Sequence, residues 1–341
     1  MATRQQQSGV PVFIAHQFQQ FRLLELPPDI VDLIETSPLQ HLSIKSSPPS
    51  NSKLAYAVLC TPTASFQLRQ VQTSNSLYLL QNHNNHPSSS SSSSSTTRAI
   101  AACTTTLELH PQPEDAVSHM NKLVPVYNLV HGQVDLEENH ISKTSLFADI
   151  PLSDKQCEDA WNYLVAFEIF GSSYRPSAKV LAQTWKSINA AAAAEGIKLD
   201  THFLTNDLIN LVTEEGYPAP LAAALTRHLS VADSGSSGIN EWSCLDREKV
   251  LPFVAMRLLE ENEAHPDYLT ADFLDAWRDS LPEIWRQDAE LSAIQGKYEL
   301  PSSTTIRLKP NASGLANTKS VPSQTLTSRK WHDKFAKTRK R

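Results

Sequence analysis

Glycine is scarce: the 341 residues hold nine, and only Gly235 and Gly238 fall within three positions of each other. A phosphate-cradling loop needs clustered glycines so that backbone can approach the anion closely. No Lys-Ser or Lys-Thr pair comes directly after these two, so ATP or dinucleotide binding of the usual kind is excluded. Cysteine is rarer still. Cys60, Cys103, Cys157 and Cys244 are separated by gaps of 42, 53 and 86 residues, which fits neither a disulfide framework nor a zinc site with paired ligands. Reduced, mostly buried thiols in a reducing compartment are expected. Long apolar runs are also missing, so no bilayer-spanning segment and no membrane partner is expected. The six-residue apolar stretch near the start is broken by Pro11 and is too short for a signal peptide. Cytosol or nucleus is the expected location.

Catalytic motifs are absent in the same way. There is no H-E-x-x-H, G-x-S-x-G or C-x-x-C. His83 and His86 are spaced like metal ligands, but they lie in an Asn/Ser-rich segment whose ordering on a metal would cost entropy. His131 and His140 stand near Asp135, Glu137 and Glu138, and read as part of a solvated acidic turn because no nucleophile accompanies them. The expectation is a protein that is not an enzyme, with no metal and no cofactor.

Charge is present but unevenly placed. Residues 297–341 carry 11 Lys/Arg against 2 acids, a net of +9. The remaining 296 residues carry 19 against 34, a net of −15. An acidic body with a basic end is expected to meet anions at that end alone.

The first hundred residues read as strands. FRLLEL (21–26), LSIKS (42–46), YAVLCT (56–61), SFQLRQV (65–71) and SLYLLQ (76–81) are rich in aromatic, aliphatic and β-branched residues. Two prolines open a short helix over 27–35, and Thr73–Ser74–Asn75 is expected to break the chain between two of the strands. The low-complexity run 82–97 reads as a disordered loop, and 98–110 resumes as a strand.

Beyond residue 112 the period becomes helical. One helix is expected over 114–124. Ser153 with Gln156 forms a capping-box pattern ahead of Cys157, Trp161, Leu164 and Val165, with Gly171 stopping the helix. Ser177 caps a run carrying Val180, Leu181, Trp185 and Ile188 that ends at Gly196. A run through Leu208, Ile209 and Val212 stops at Gly216, and another occupies 220–229. Residues 234–238 read as a linker or wing tip, and 247–262 as a helix with a kink or late start at Pro252. Thr270 is expected to cap the next helix, 282–295 to form another, and 296–310 to form a hairpin around a polar loop. Three helices and a hairpin is the order of a winged helix.

The expected class is therefore α+β. A β-rich unit (1–112) precedes three winged-helix repeats (113–176, 177–246 and 247–310) and a linker with a basic tail (311–341). Trp161, Trp185, Trp277 and Trp285 fall on apolar helical faces and are expected in the core. In the tail, Trp331 and Phe335 interleave with Arg329, Lys330, Lys334, Lys337, Arg339, Lys340 and Arg341, a pattern that suits either docking on DNA or nuclear import. Arg307 and Lys309 on the last wing strand complete the candidate DNA-binding set. Phe66, Leu68, Leu77 and Leu79 are the candidate partner-binding residues, on strands whose edges want pairing.

FRLLELPPDIVDLIE (21–35), AVLCTPTASFQLR (57–69), TSNSLYLL (73–80), TTLELHP (105–111) and LPSSTTIRLKP (300–310) together resemble the Dcc family, the subunit named for defective sister-chromatid cohesion. The resemblance runs over about residues 18–310, while the Ser-rich insertion at 88–95 and the short tail depart from the pattern. It implies a nuclear, non-catalytic subunit of an alternative, replication-factor-C-like clamp loader. The implied partners are the C-terminal end of a large Ctf-family subunit, a small Ctf-family protein, the catalytic subunit of DNA polymerase epsilon, and DNA. It also implies an N-terminal domain that completes a shared β-barrel. The competing reading is a stand-alone winged-helix regulator, in which 282–295 would read bases. That segment offers Arg286 beside Glu283, Asp288 and Glu290, a poor set for sequence readout.

Overall fold

The computed structural model describes residues 12–36, 41–47, 55–83, 96–112, 115–130, 133–134, 141–231, 242–262 and 268–309. The chain is α+β, with an N-terminal sheet followed by a helical body. Strands β1 (Val12–Ile14), β2 (Leu23–Leu24), β3 (Ser43–Ser47), β4 (Tyr56–Cys60), β5 (Ser65–His83) and β6 (Thr96–Pro111) form one sheet. Its order is β1-β6-β5-β4-β3, with β2 also on β6, and helix α1 (Pro28–Thr36) lies between β2 and β3 in sequence. The path is open at both ends, so these strands do not close a barrel among the described residues.

Residues 65–71 and 76–81 are not two strands. They belong to the single 19-residue β5, and the expected break becomes a register irregularity between Gln72 and Leu77. Turn-forming residues opposite an uninterrupted partner strand are absorbed as a bulge, because the ladder on either side holds the chain extended. The expected loop 82–97 also contracts. Asn82 pairs with Thr97 and His83 with Thr96, so these four residues extend the β5–β6 ladder, and 84–95 lie outside the described residues.

The helical body begins with α2 (Ala116–Leu123), capped by the Asp115 carboxylate. Short strands β7 (Val126–Tyr127), β8 (Leu129–Val130) and β9 (Gln133–Val134) lead to α3 (Lys143–Asp149), a helix the sequence pattern did not announce. Helix α4 (Asp154–Tyr163) carries the expected capping box between Ser153 and Gln156. Gly171 does not stop it. The helix ends at Tyr163, and Gly171 sits at the tip of the hairpin formed by β10 (Phe167–Ile169) and β11 (Ser172–Pro176). Helix α5 (Ala178–Ala194) has its Ser177 cap, and Gly196 follows in the left-handed region at φ +65°. Strand β12 (Phe203–Leu204), α6 (Thr205–Glu214), α7 (Ala219–Leu229) and β13 (Trp242–Ser243) come next, with β12 and β13 antiparallel.

Helix α8 (Arg247–Glu261) starts at its Asp246 cap and runs through Pro252, so the late start does not occur. An interior proline costs about 3 kcal/mol, and here the buried face from Val250 to Leu259 offsets it. Helix α9 (Thr270–Asp279) takes Leu269, not Thr270, as its N-cap residue. The bridge from Leu269 to Thr305 and the Thr270 N–H bond to the Thr304 carbonyl (2.8 Å) already fix that end. Residues 282–295 are not an α-helix. They make two 3-10 turns, Glu283–Asp288 and Leu291–Ile294, separated where Ala289 leaves the helical region and Glu290 turns extended. This arrangement buries Trp285, Ala289 and Ile294 together, which a continuous 3.6-residue period would not do. Strands β14 (Tyr298–Glu299) and β15 (Arg307–Leu308) close the chain's described part as the expected antiparallel pair.

Trp161, Trp185, Trp277 and Trp285 are all buried. One core cluster runs from Tyr127 to Leu308, and a second gathers α2, α3 and α4. The larger core crosses residues 176 and 246, and Trp185 ties its parts together by donating Nε1–H to the Ser280 carbonyl at 2.8 Å.

Candidate interaction surfaces

Three regions could carry function: the apolar N-terminal sheet, the joint below it, and the basic end.

Strand β5 contains Leu77, Tyr78, Leu79 and Leu80 in succession. Consecutive apolar residues leave neither face of a strand polar, which suits a strand covered on both sides. Leu77, Tyr78 and Leu80 are each more than half exposed, as are Phe13 and Ile14 on β1 and Ile44 on β3. Of the candidate partner-binding residues, Leu77 is open, whereas Phe66, Leu68 and Leu79 are half-buried. The exposed apolar residues of β1 and β3 were missed in the sequence because those strands are short. The unbroken 77–80 run was the available signal.

The joint is polar. Lys45, on edge strand β3, has a side chain only 11% exposed. Its Nζ donates to the carbonyls of Phe147 (2.7 Å) and Leu152 (2.8 Å) and lies 3.6 Å from Asp154. Ser65 Oγ accepts from the Ser153 N–H (2.7 Å) and donates to Gln156 Oε1 (2.7 Å), so the capping box of α4 is shared with the sheet. Replacing Lys45 with Met keeps the stem and leaves two buried carbonyls without a donor. The expected loss is about 2–3 kcal/mol by urea denaturation, and an unchanged midpoint would show the joint to be incidental. The thiols nearby are not poised for chemistry. Burial pushes Cys157 up to about 11 and raises Cys60 as well, and a protonated thiol is a poor nucleophile.

A second joint links α4 to α7 and α8. His228 Nδ1 lies 3.0 Å from the Asn162 carbonyl, and its ring packs on Phe253. The buried Arg257, paired with Glu260 at 2.8 Å, also lies over Phe253. Burial lowers the His228 pKa below its usual 6.5, reinforced by Arg257 and Lys249 and opposed by the Asn162 contact. The unfolded chain therefore binds the proton more readily than the folded one. Stability from this site is complete above about pH 6.5 and declines as pH falls from there through the depressed folded value. His228→Gln should flatten the fall in urea midpoint between pH 7.5 and 5.5, whereas an equally steep fall in the variant would place its source elsewhere.

At the basic end, Arg307 is half-exposed but engaged: its Nε and Nη2 donate to Glu299 Oε2 at 3.1 and 2.8 Å across β14–β15. Lys309 is exposed. Arg329, Lys330, Lys334, Lys337, Arg339, Lys340 and Arg341 lie outside the described residues, as do His86, His131 and His140. Arg286 is exposed but partly engaged. Its Nε donates to the Leu281 carbonyl at 3.4 Å, and Asp288 pairs with Arg247. Among the described residues no group of three or more His, Cys, Asp or Glu could hold a metal ion, and no helix is long and apolar enough to cross a membrane.

In comparison with known families, the model described as sister chromatid cohesion protein Dcc1 matches residues 21–328. A search of curated proteins finds no match.

Proposed function

Because the chain belongs to the sister chromatid cohesion protein Dcc1 family, we propose that it is a nuclear, non-catalytic subunit of an alternative clamp loader. Sister chromatid cohesion within a protein complex is the role that family membership carries. In the proposed assembly the N-terminal sheet pairs with the C-terminal end of a large Ctf-family subunit and a small Ctf-family protein, completing a shared barrel. The helical body, read as three winged-helix repeats, reaches the catalytic subunit of DNA polymerase epsilon. The assembly loads or unloads the sliding clamp during replication.

The observation that carries this reading is the open, apolar sheet. A sheet with free edges and exposed Phe13, Ile14, Ile44, Leu77, Tyr78 and Leu80 is an aggregation hazard unless a partner covers it. The winged-helix reading is supported by the recurrence of helices followed by a paired strand: α2–α4 with β10–β11, α5–α7 with β12–β13, and α8–α9 with β14–β15. A stand-alone regulator reading bases through 282–295 loses its reading helix, since that segment forms 3-10 turns. The test is co-expression of the full chain with the two partner segments, followed by size exclusion and mass spectrometry. A stoichiometric three-part complex is the expected result. A soluble, monodisperse chain that ignores both segments would sink the proposal.

DNA contact, in this reading, belongs to the basic end. Glu299 already neutralises Arg307, so the tail supplies most phosphate contacts. With about five of them, affinity for duplex should fall with salt at a log–log slope of roughly −4. The 1–310 protein should show a much flatter slope in anisotropy titrations. Equal slopes for the two proteins would remove the tail from DNA binding.

A further inference from the structure

Among the described residues, two other than glycine have left-handed backbone: Val165 at φ +52° and Phe170 at φ +50°. Each costs about 1–2 kcal/mol for an L-residue with a Cβ. For Val165 the offset is visible, because its side chain is 2% exposed and belongs to the main core. Phe170 has no such offset. It stands at the tip of the β10–β11 hairpin, followed by Gly171 at φ +78°, and is 95% exposed. A two-residue turn with both central φ values positive favours Asn-Gly or Asp-Gly. This chain places an aromatic where the turn disfavours it and where its own fold gains no burial from it. Strain with no internal return points to a contact outside the chain.

We propose that Phe170 is an anchor that inserts into an apolar pocket on a folded protein partner. A protein is favoured over nucleic acid by charge. The hairpin itself, residues 167–176, carries Glu168 and Arg175 as its charged residues. Arg175 is 7% exposed, and its guanidinium turns inward to the Val124 and Asn121 carbonyls. No outward cation on the hairpin is left to meet a phosphate, and Glu168 beside the tip favours a pocket with a neutral or basic rim. Large aromatics seated in such pockets are frequent anchors of protein interfaces. The inference does not rest on the clamp-loader reading.

The test is hydroxyl-radical footprinting of Phe170 in the isolated chain and in the assembly purified from cells through a tag on this chain. Oxidation of Phe170 should be fast in the isolated chain, drop several-fold in the assembly, and stay low after nuclease treatment. In parallel, Phe170→Asn should relieve the turn and raise the melting temperature of the isolated chain by about 1–3 °C. The same change should lower retention of one protein of the assembly at least tenfold, with Phe170→Leu intermediate. Equal oxidation in both samples, protection that vanishes with nuclease, or a lower melting temperature for Phe170→Asn would each overturn the proposal. If the protected assembly contains no loader or polymerase subunits, the proposed function fails while the anchor stands.

Discussion

Trp185→Ala should remove about 3–5 kcal/mol of stability and lower the melting temperature by about 10 °C. The side chain is 1% exposed in α5, among the residues of the larger core. Truncation opens a cavity that the surrounding helices cannot fill without moving, and it removes the indole N–H from the Ser280 carbonyl. That carbonyl keeps only the Asn189 amide, at 3.5 Å. Marginal stability makes this a large share, since whole domains hold about 5–15 kcal/mol. Trp185→Phe separates the two contributions, because it keeps much of the packing and loses the hydrogen bond, for an expected cost of about 1–2 kcal/mol. Urea denaturation followed by circular dichroism measures both. If the alanine variant unfolds at the wild-type midpoint, α5 and the end of α9 are not held together as the structure describes.

Leu77→Asp combined with Leu80→Asp should do the opposite: almost nothing to the isolated chain and everything to its assembly. Both side chains are more than half exposed on β5, and surface substitutions of this kind usually change stability by less than about 0.5 kcal/mol. Covered by a partner, the two carboxylates would lose water with no cation to pair with, at a cost of several kcal/mol. A penalty of about 4 kcal/mol weakens binding roughly a thousandfold. Co-expression with the two partner segments should then return a free chain with a wild-type melting temperature. Assembly at wild-type affinity would remove this face from the proposed interface. Loss of fold would mean that the leucines support the sheet itself.

The sequence and the structure agree where local chemistry and burial act in the same direction. Ser153 and Gln156 cap α4 as their spacing demands, and Ser177 with Gly196 bounds α5, because caps satisfy backbone groups within a few residues of themselves. Trp161, Trp185 and Trp277 follow from helical periodicity for the same reason. The scarcity of clustered glycines, the isolated cysteines and the split of charge between body and tail are likewise properties of the chain alone, and no packing can change them.

Tertiary contacts decided the rest. Thr73–Ser74–Asn75 has turn chemistry but lies within the β5–β6 ladder, so a long antiparallel partner overrode a local preference. Pro252 stays inside α8 because the helix buries a face too large to give up at its first turns. Residues 282–295 look helical by composition and become two 3-10 turns, since Trp285, Ala289 and Ile294 must all reach one core. The joint made by Lys45, Ser65, Ser153 and Gln156 was out of reach for the same physical reason. Its members stand about a hundred positions apart, and a lysine in a short strand reads as solvated until a distant pair of carbonyls is brought to its amine. What the chain could determine by itself was which segments form and what chemistry they lack. Which faces remain uncovered, and so where a partner can bind, was fixed only when the elements packed.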